Sequence, residues 1–331
     1  MVLLVLLLAV VFYCVIFSGK LYLQIGSACL LAAFWQQMAF IGHDAGHHSI
    51  THDFKLDSYI GLVVGNLLTG IGIGWWTKSH NTHHVVTNSV ELDPDIQHLP
   101  VFAVTDKFFK SLKSYYHERT MYFDKLSKFF VSNQHLLYYL IMGLARFNLY
   151  VQSFLLLASH SKVRMRKLEI FTLFLFWTWF SYLCSFFPTW SSLFLFVFIS
   201  HFLAGLLHVQ ITLNHFTMET YYGLPIDAFN TDEFLQSQLW TCMNIECPPA
   251  LDFFHGGLQF QIEHHLFPRV SRQYLRQVSE KIQALCLKHK IPYKSKTFLE
   301  ANVDVIMALR ETALKAKHID QMIWDGISAV G

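Results

Sequence analysis

The chain has 331 residues, 53% of them hydrophobic and 16% aromatic, and only 15% are charged, against roughly 25% in soluble domains. That balance is a membrane protein's and excludes an ordinary soluble enzyme. A formal net charge of +2 without a long run of one sign gives a nucleic-acid partner no electrostatic footing.

In chain order, residues 1–17 are almost unbroken Val and Leu, and residues 21–41 follow after only Ser18-Gly19-Lys20, so the two predict a transmembrane hairpin. The first histidine cluster, His43-Asp-Ala-Gly-His47-His48, comes directly after it. Residues 59–76 hold Gly61, Gly65, Gly70, Gly72 and Gly74 and are expected to form an interfacial or re-entrant helix. A crossing there would put the first cluster and the second, His80-Asn-Thr-His83-His84, on opposite sides of the membrane. Residues 136–158 carry Arg146, Asn148 and Gln152, which are costly near mid-bilayer, and are also read as interfacial. Residues 168–187 and 191–213 are each long enough for a hydrocarbon core of about 30 Å and are joined by Pro188-Thr189-Trp190 as a second hairpin. His215 lies just beyond it, and the third cluster is Gln261-Ile-Glu-His264-His265. From about 271 to 313 the chain turns polar and helical, with Leu275, Val278, Ile282 and Leu285 at helical spacing, and residues 271–331 are expected to form a cytosolic cap.

The expected fold is therefore an all-α integral membrane protein with four transmembrane helices in two hairpins, interfacial helices and a cytosolic helical cap. Apolar segments and histidine clusters interleave from end to end, so residues 1–331 read as one domain. Four spans return every cluster to one face. Lys162, Arg164, Arg166 and Lys167, with Lys107, Lys110, Lys113 and Arg119, fall on that face, and the positive-inside rule makes it cytosolic. The six cysteines show no CxxC spacing and read as free thiols.

Histidine is the commonest metal ligand, and helical positions three and four apart share a face. His80, His83 and His84 can thus bind together. His43 and His47 are likewise i, i+4, whereas His48 is displaced by about 140° on an ideal helix; either His47 or His48 is a ligand. The adjacent His264 and His265 need different metals or a distorted helix end. Eight imidazoles exceed the coordination of one ion, which favours a binuclear iron site, since imidazole suits iron. Asp44 and Glu263 sit between histidines and are expected to fix imidazole tautomers. His215 is a ninth ligand candidate; Asn214 and Gln210 are weaker candidates for holding a metal-bound water, and His255 for a supporting or substrate-lining place. Phe171, Phe174, Phe176, Trp177, Trp179 and Phe180 either line a substrate tunnel or face lipid.

At these residues the chain resembles the membrane front-end desaturases. The resemblance is carried by the three clusters, Gly74-Trp-Trp through His84, Asp93-Pro-Asp-Ile-Gln-His98, Asn214-His215-Phe216 and Phe254 through Pro268, in order and spacing. It is greatest to the plant-type branch of sphingolipid Δ8 and acyl-lipid Δ6 desaturases. The resemblance implies a non-haem centre of two iron ions, O2 as co-substrate, and electrons from NADH through cytochrome b5 reductase and cytochrome b5. It also implies an endoplasmic-reticulum membrane and a lipid substrate, either a ceramide or long-chain base or an acyl lipid. The ligand candidates it implies are His43, His47, His48, His80, His83, His84, His215, His264 and His265, with Gln261 where related desaturases carry histidine. The fused cytochrome b5 domain usual in front-end enzymes, marked by His-Pro-Gly-Gly, has no counterpart in these residues; either the sequence is N-terminally incomplete or the donor is a separate cytochrome b5.

The expected activity is insertion of a Δ8 double bond into a sphingolipid long-chain base, with Δ6 acyl-lipid desaturation as the alternative. A di-iron hydroxylase is the nearest chemical rival and would add oxygen instead of removing two hydrogens. A membrane metal transporter would instead need ionisable groups along a pathway within its spans.

Overall fold

The computed structural model describes residues 1–224 and 231–319. The elements in order are α1 (Val2–Ile16), α2 (Leu21–Gly46), α3 (Phe54–Gly61), α4 (Ile73–Val85), β1 (Leu112–Ser114), β2 (Arg119–Met121), α5 (Lys125–Ala158), α6 (Arg166–Cys184), α7 (Trp190–Gly205), α8 (Leu207–Leu213), α9 (Thr231–Thr241), β3 (Asn244–Glu246), α10 (Asp252–His255), α11 (Gln261–Leu266), α12 (Leu275–His289), β4 (Ser295–Thr297) and α13 (Phe298–Lys317). The protein is mostly helical, as expected. It forms two compact units, the first from Met1–Lys78, Met142–Val209 and Pro268–Gln273, the second from the described residues of Ser79–Ile141, Gln210–Phe267 and Tyr274–Gly331.

Among the described residues, three stretches are long and apolar enough to cross a membrane: Leu21–Gly46, Lys125–Ala158 and Trp190–Leu213. The first and third fall where spans were expected. The second differs from the expectation of a short interfacial segment, because α5 is one helix of 34 residues. Arg146, the residue that argued against a span, is provided for: its guanidinium donates to Tyr150 Oη (2.9 Å) and to the Thr69 carbonyl (2.6 Å), and it stacks 4.1 Å from the Trp35 ring centroid. At 15 residues α1 is only about 22 Å long at 1.5 Å per residue, short for a crossing.

In the first unit α1 does pack on α2 as a hairpin. The buried face of α2, with Ala28, Leu31, Ala32, Trp35 and Met38, follows helical spacing. The second expected hairpin differs: α6 and α7 are joined by a short turn, but α7 packs mainly along α2 and α6 on the turn after α3. Contact between apolar helices in lipid comes from close fit, for which small residues suit. A Cβ on Gly205 of α7 would strike the carbonyl of Gly143 in α5, so the backbones meet there directly.

Residues 59–76 are a broken helix. A π-helical turn, Leu62–Leu67, follows α3, and Gly70 takes a left-handed φ of +76° before α4 begins. Non-helical backbone away from water must be satisfied by protein, and it is. The Trp35 and Trp179 indoles donate to the Leu68 and Leu67 carbonyls (3.1 and 2.8 Å), Ser153 Oγ accepts from the Gly72 amide (2.9 Å), and Glu169 Oε2 accepts from Gly74 (3.2 Å). Of the aromatic residues considered for a tunnel, Phe176 and Phe180 are in the core of this unit, while Phe171 and Phe174 are exposed.

In the second unit β1 and β2 form a small antiparallel pair, and β3 and β4 a parallel one. The polar C-terminal helices form as expected over α12 and α13; residues 320–331 of the expected cap lie outside the described residues. The buried stripe of α12 is Leu275, Ser279 and Cys286, with Ile282 partly buried beside it, and not Leu285, which is half exposed. Ser279 belongs to it through a 3.0 Å hydrogen bond between its Oγ and Tyr293 Oη.

Candidate metal centre

The second unit gathers six of the nine candidate ligand histidines. α4 carries His80, His83 and His84 on one face, and α11 carries His264 and His265. His215 lies in the turn after α8. All six are buried.

His83, His215 and His265 bring ligand atoms within 4.8 Å of one another. In each, Nδ1 is already committed. His83 Nδ1 donates to Asp93, 2.9 Å from Oδ2 and 3.1 Å from Oδ1. His215 Nδ1 donates to the Thr241 carbonyl (3.0 Å), and His265 Nδ1 to Gln238 Oε1 (2.9 Å), with Thr87 Oγ1 at 3.2 Å. A proton held on Nδ1 leaves the lone pair on Nε2. His83 Nε2 is buried without a hydrogen-bond partner, at a cost of about 1–3 kcal/mol for an unmet polar group. Gln261 Nε2 stands 3.0 Å from His215 Nε2 and 3.1 Å from His265 Nε2, while its Oε1 is buried and unpartnered. Turning that amide end over end would put an oxygen donor beside the same nitrogens.

The environment suits a cation. Burial and the neighbouring His83 charge hold His215 well below the ordinary histidine range; burial, with His215 and His83, does the same to His265. His80 is lowered mainly by burial. Burial also works against a charge on His83, but Asp93 and Asp95 outweigh it and push the group up to about 9. The carboxylates that retain that proton would equally favour a metal ion in its place, and binding would release the proton. Three imidazoles with fixed tautomers and a buried carboxylate behind one of them fit a transition metal.

The adjacent His264 and His265 diverge, their rings lying 89° apart. His265 joins the triad. His264 packs toward His80 and His84, with ring centroids 6.0 and 4.7 Å away, and His80 Nε2 lies 3.1 Å from His84 Nε2. The expected division of the two neighbours between different metals is thus compatible with their directions.

The first unit holds His43, His47 and His48. The rings of His43 and His47 are 4.7 Å apart, and both touch Trp76, at 5.3 and 5.5 Å. Gly46 between them is required, since a Cβ there would overlap the Trp76 ring. His48 does not join the pair: it follows the end of α2 at a φ of +56°, and its ring lies on Phe54, 4.3 Å away.

Two expectations about carboxylates change. Glu263 contacts no imidazole in the hydrogen bonds around it; it accepts from Asn244 Nδ2 (2.7 Å) and Tyr293 Oη (2.9 Å), tying α11 to β3 and to Tyr293. Asp44 pairs with Arg272 at 2.8 Å and is 3.7 Å from its neighbour His43. The carboxylate that does orient an imidazole is Asp93, itself held by the amides of Asn88 (2.7 Å) and Asp95 (2.8 Å). The signal for it was the Asp93-Pro-Asp run. Gln238 and Thr241 had no such signal.

Residues 20–297 match the family model described as fatty acid desaturase. The chain belongs to the fatty acid desaturase family. It is an oxidoreductase, a desaturase and an integral membrane protein. Among its relatives, Delta(8)-fatty-acid desaturase 2 of Arabidopsis thaliana is 42% identical over 98% of this chain and 72% of its own. A Delta 8-(E)-sphingolipid desaturase of Emericella nidulans is 43% identical over 92% of this chain and 58% of its own. The acyl-lipid (9-3)-desaturase of Borago officinalis is 41% identical over 96% of this chain and 71% of its own. The family and the histidine groups together fit the use of iron.

Proposed function

We propose that this desaturase inserts a Δ8 double bond into the long-chain base of a sphingolipid, using two iron ions. The observation that carries the metal assignment is the triad of His83, His215 and His265, each with its Nδ1 proton committed and the lone pair left on Nε2, where His83 has no partner and the other two meet only Gln261. The substrate assignment is supported by relatives from a plant and a fungus that bear Δ8 names.

His83, His215 and His265 would hold one iron, with Gln261 as an oxygen donor or the holder of a water. His80, His84 and His264 would serve the second iron, and the resemblance gives His43, His47 and His48 as further ligand candidates. When bound, the iron pair supplies the oxidising power by which O2, two electrons and two protons convert two adjacent methylenes into an alkene and two waters. The rest is the chain's work. Asp93, Gln238 and the Thr241 carbonyl keep each imidazole in the ligating tautomer, and second partners of this kind are worth about 10- to 100-fold in metal affinity or activity. Burial of all six imidazoles keeps bulk water from the reacting carbons. The two electrons come from NADH by way of cytochrome b5 reductase and cytochrome b5. The membrane is that of the endoplasmic reticulum, with the clusters toward the cytosol, on the side of Lys107, Lys110, Lys113, Arg164 and Lys167. All 331 residues act as one domain.

Lipid profiling of a yeast host expressing this chain, with and without co-expressed cytochrome b5, tests the reading. Long-chain bases and fatty acids are analysed separately for double-bond position. A new Δ8 long-chain base that rises with added cytochrome b5 is expected. A new acyl-chain double bond alone would transfer the assignment to acyl lipids, and a product heavier by one oxygen would make the enzyme a hydroxylase.

A further inference from the structure

In the second unit α13 buries one face, with Ala301, Val305, Leu309 and Ala313, and turns another outward. On the outer face Leu299, Val303, Met307 and Leu314 follow one another at helical spacing. All four are exposed, Leu299 by 74% and Met307 by 53%. Single exposed apolar residues are ordinary on a protein surface. A row of large ones along one helix is not, and it marks a face that meets another apolar phase. Arg310 stands in the same row between Met307 and Leu314 and is exposed. A guanidinium on a long apolar stem suits a headgroup layer, where the stem lies on apolar surface and the charge stays wet; it would be costly in a dry protein interface.

The neighbouring helix says what that phase is. The first half of α5 belongs to the same unit and touches α13 twice: Tyr139 Oη donates to Asn302 Oδ1 (3.1 Å), and Gln134 Nε2 donates to the Leu309 carbonyl (2.9 Å). It too buries one face, with Val131, Gln134 and Tyr138, and exposes Leu126, Phe129, Leu136 and Leu140. Both helices pack their opposite faces into the second unit, so the two rows lie side by side on its outside. Along α5 the exposed row does not stop at Leu140. It continues through Leu144, Phe147, Val151 and Leu155, within the stretch long and apolar enough to cross a membrane. The 34 residues of α5 measure about 51 Å at about 1.5 Å per residue, well beyond a hydrocarbon core of about 30 Å. The row therefore runs out of the core into the interfacial layer, and α13 is attached at that end.

We propose that α13 and the first turns of α5 form a membrane-seating face, lying in the headgroup layer with Leu299, Val303, Met307 and Leu314 against the acyl chains. The occupant of this face is the lipid surface itself. The unit that holds the histidine triad is thereby seated on the bilayer instead of being carried clear of it, whichever lipid is desaturated.

The test uses the full chain in phosphatidylcholine nanodiscs, with a fluorescent unnatural amino acid placed singly at Val303, at Met307 or, on the polar flank of the same helix, at Glu311. These positions are exposed, so the label disturbs no core. Quenching by phosphatidylcholine bearing a nitroxide near the headgroup end of its acyl chain is compared with quenching by iodide in the water. An interfacial helix sinks its apolar face about 5–10 Å into the boundary, so Val303 and Met307 should be quenched by the lipid about threefold more than Glu311, and by iodide about threefold less. Equal iodide quenching at all three positions would overturn the proposal, because the row would then face water. Protection of Val303 and Met307 from both quenchers would also overturn it, because the face would then be covered by protein, either a second copy of the chain or another partner.

Discussion

The broken segment of the first unit and the histidine triad of the second treat buried polar groups differently. In the first, Arg146 and Glu169 are partnered by Thr69, Tyr150 and the Gly74 amide, and the broken segment 62–74 has its carbonyls and amides met by tryptophan, serine and glutamate side chains. In the second, His83 Nε2 and Gln261 Oε1 at the triad are buried with nothing to bond. Buried polar groups are ordinarily satisfied, so a satisfied one reads as architecture, and a cluster of unsatisfied ones reads as a place for a ligand. Arg146 and His83 show the contrast most clearly: both are buried, and only one has an atom left over.

The strongest way to break this comparison is to remove the left-over atoms. His83→Ala, His215→Ala and His265→Ala should each take desaturation below detection. Each purified variant should retain roughly half of the parent's iron, since the ligands are divided between two ions and binding needs the full set. Metal analysis beside lipid profiling checks it. A variant that kept full iron and activity would remove its histidine from the centre.

Asp93→Asn comes next. The amide keeps the size and one acceptor oxygen but removes the charge behind His83, and a loss of about 10- to 100-fold in iron affinity or turnover is expected. Chelator titration of the purified chain gives the affinity directly. Arg146→Leu should do the reverse. Removing the donor leaves the Thr69 carbonyl unmet in the core, which costs about 1–3 kcal/mol of stability, visible as a lower unfolding temperature in detergent. Iron per folded chain should be unchanged. If Arg146→Leu lost iron while its stability held, the division into architecture and site would fail.

The same contrast explains what the sequence could show. Histidine spacing was enough to find the clusters because ligands three and four apart lie on one helix face, and the hairpin of α1 and α2 was legible because its apolar runs are continuous. The length of α5 was hidden by Arg146, whose partners Thr69 and Trp35 lie far away in the chain. The tautomer-setting groups were hidden for a related reason. Gln238 comes from α9 and reaches His265 across 27 residues, and Thr87 reaches it across 178. Their residue types are unremarkable, and only the fold gives them a role. Glu263 misled in the opposite direction: it stands between histidines in sequence, yet a helix turns adjacent side chains apart, and its carboxylate goes to Asn244 and Tyr293.

The smallest effect sharpens the comparison at one proton. His265 Nδ1 has two oxygens near it, Gln238 Oε1 at 2.9 Å and Thr87 Oγ1 at 3.2 Å. The Thr87 hydroxyl has its own hydrogen engaged with the His83 carbonyl at 2.7 Å, and Gln238 Nε2 is engaged with the His84 carbonyl at 3.1 Å. Both oxygens can therefore accept, but the shorter contact belongs to the amide. Gln238→Leu should weaken iron binding by about 10- to 100-fold. Thr87→Val should cost only about 0.5–1.5 kcal/mol of stability and leave the iron content alone, measured by the same chelator titration and thermal unfolding. If Thr87→Val lost iron and Gln238→Leu did not, the hydroxyl would be the group that fixes the tautomer of His265, and Gln238 would join Arg146 among the residues that only hold the fold.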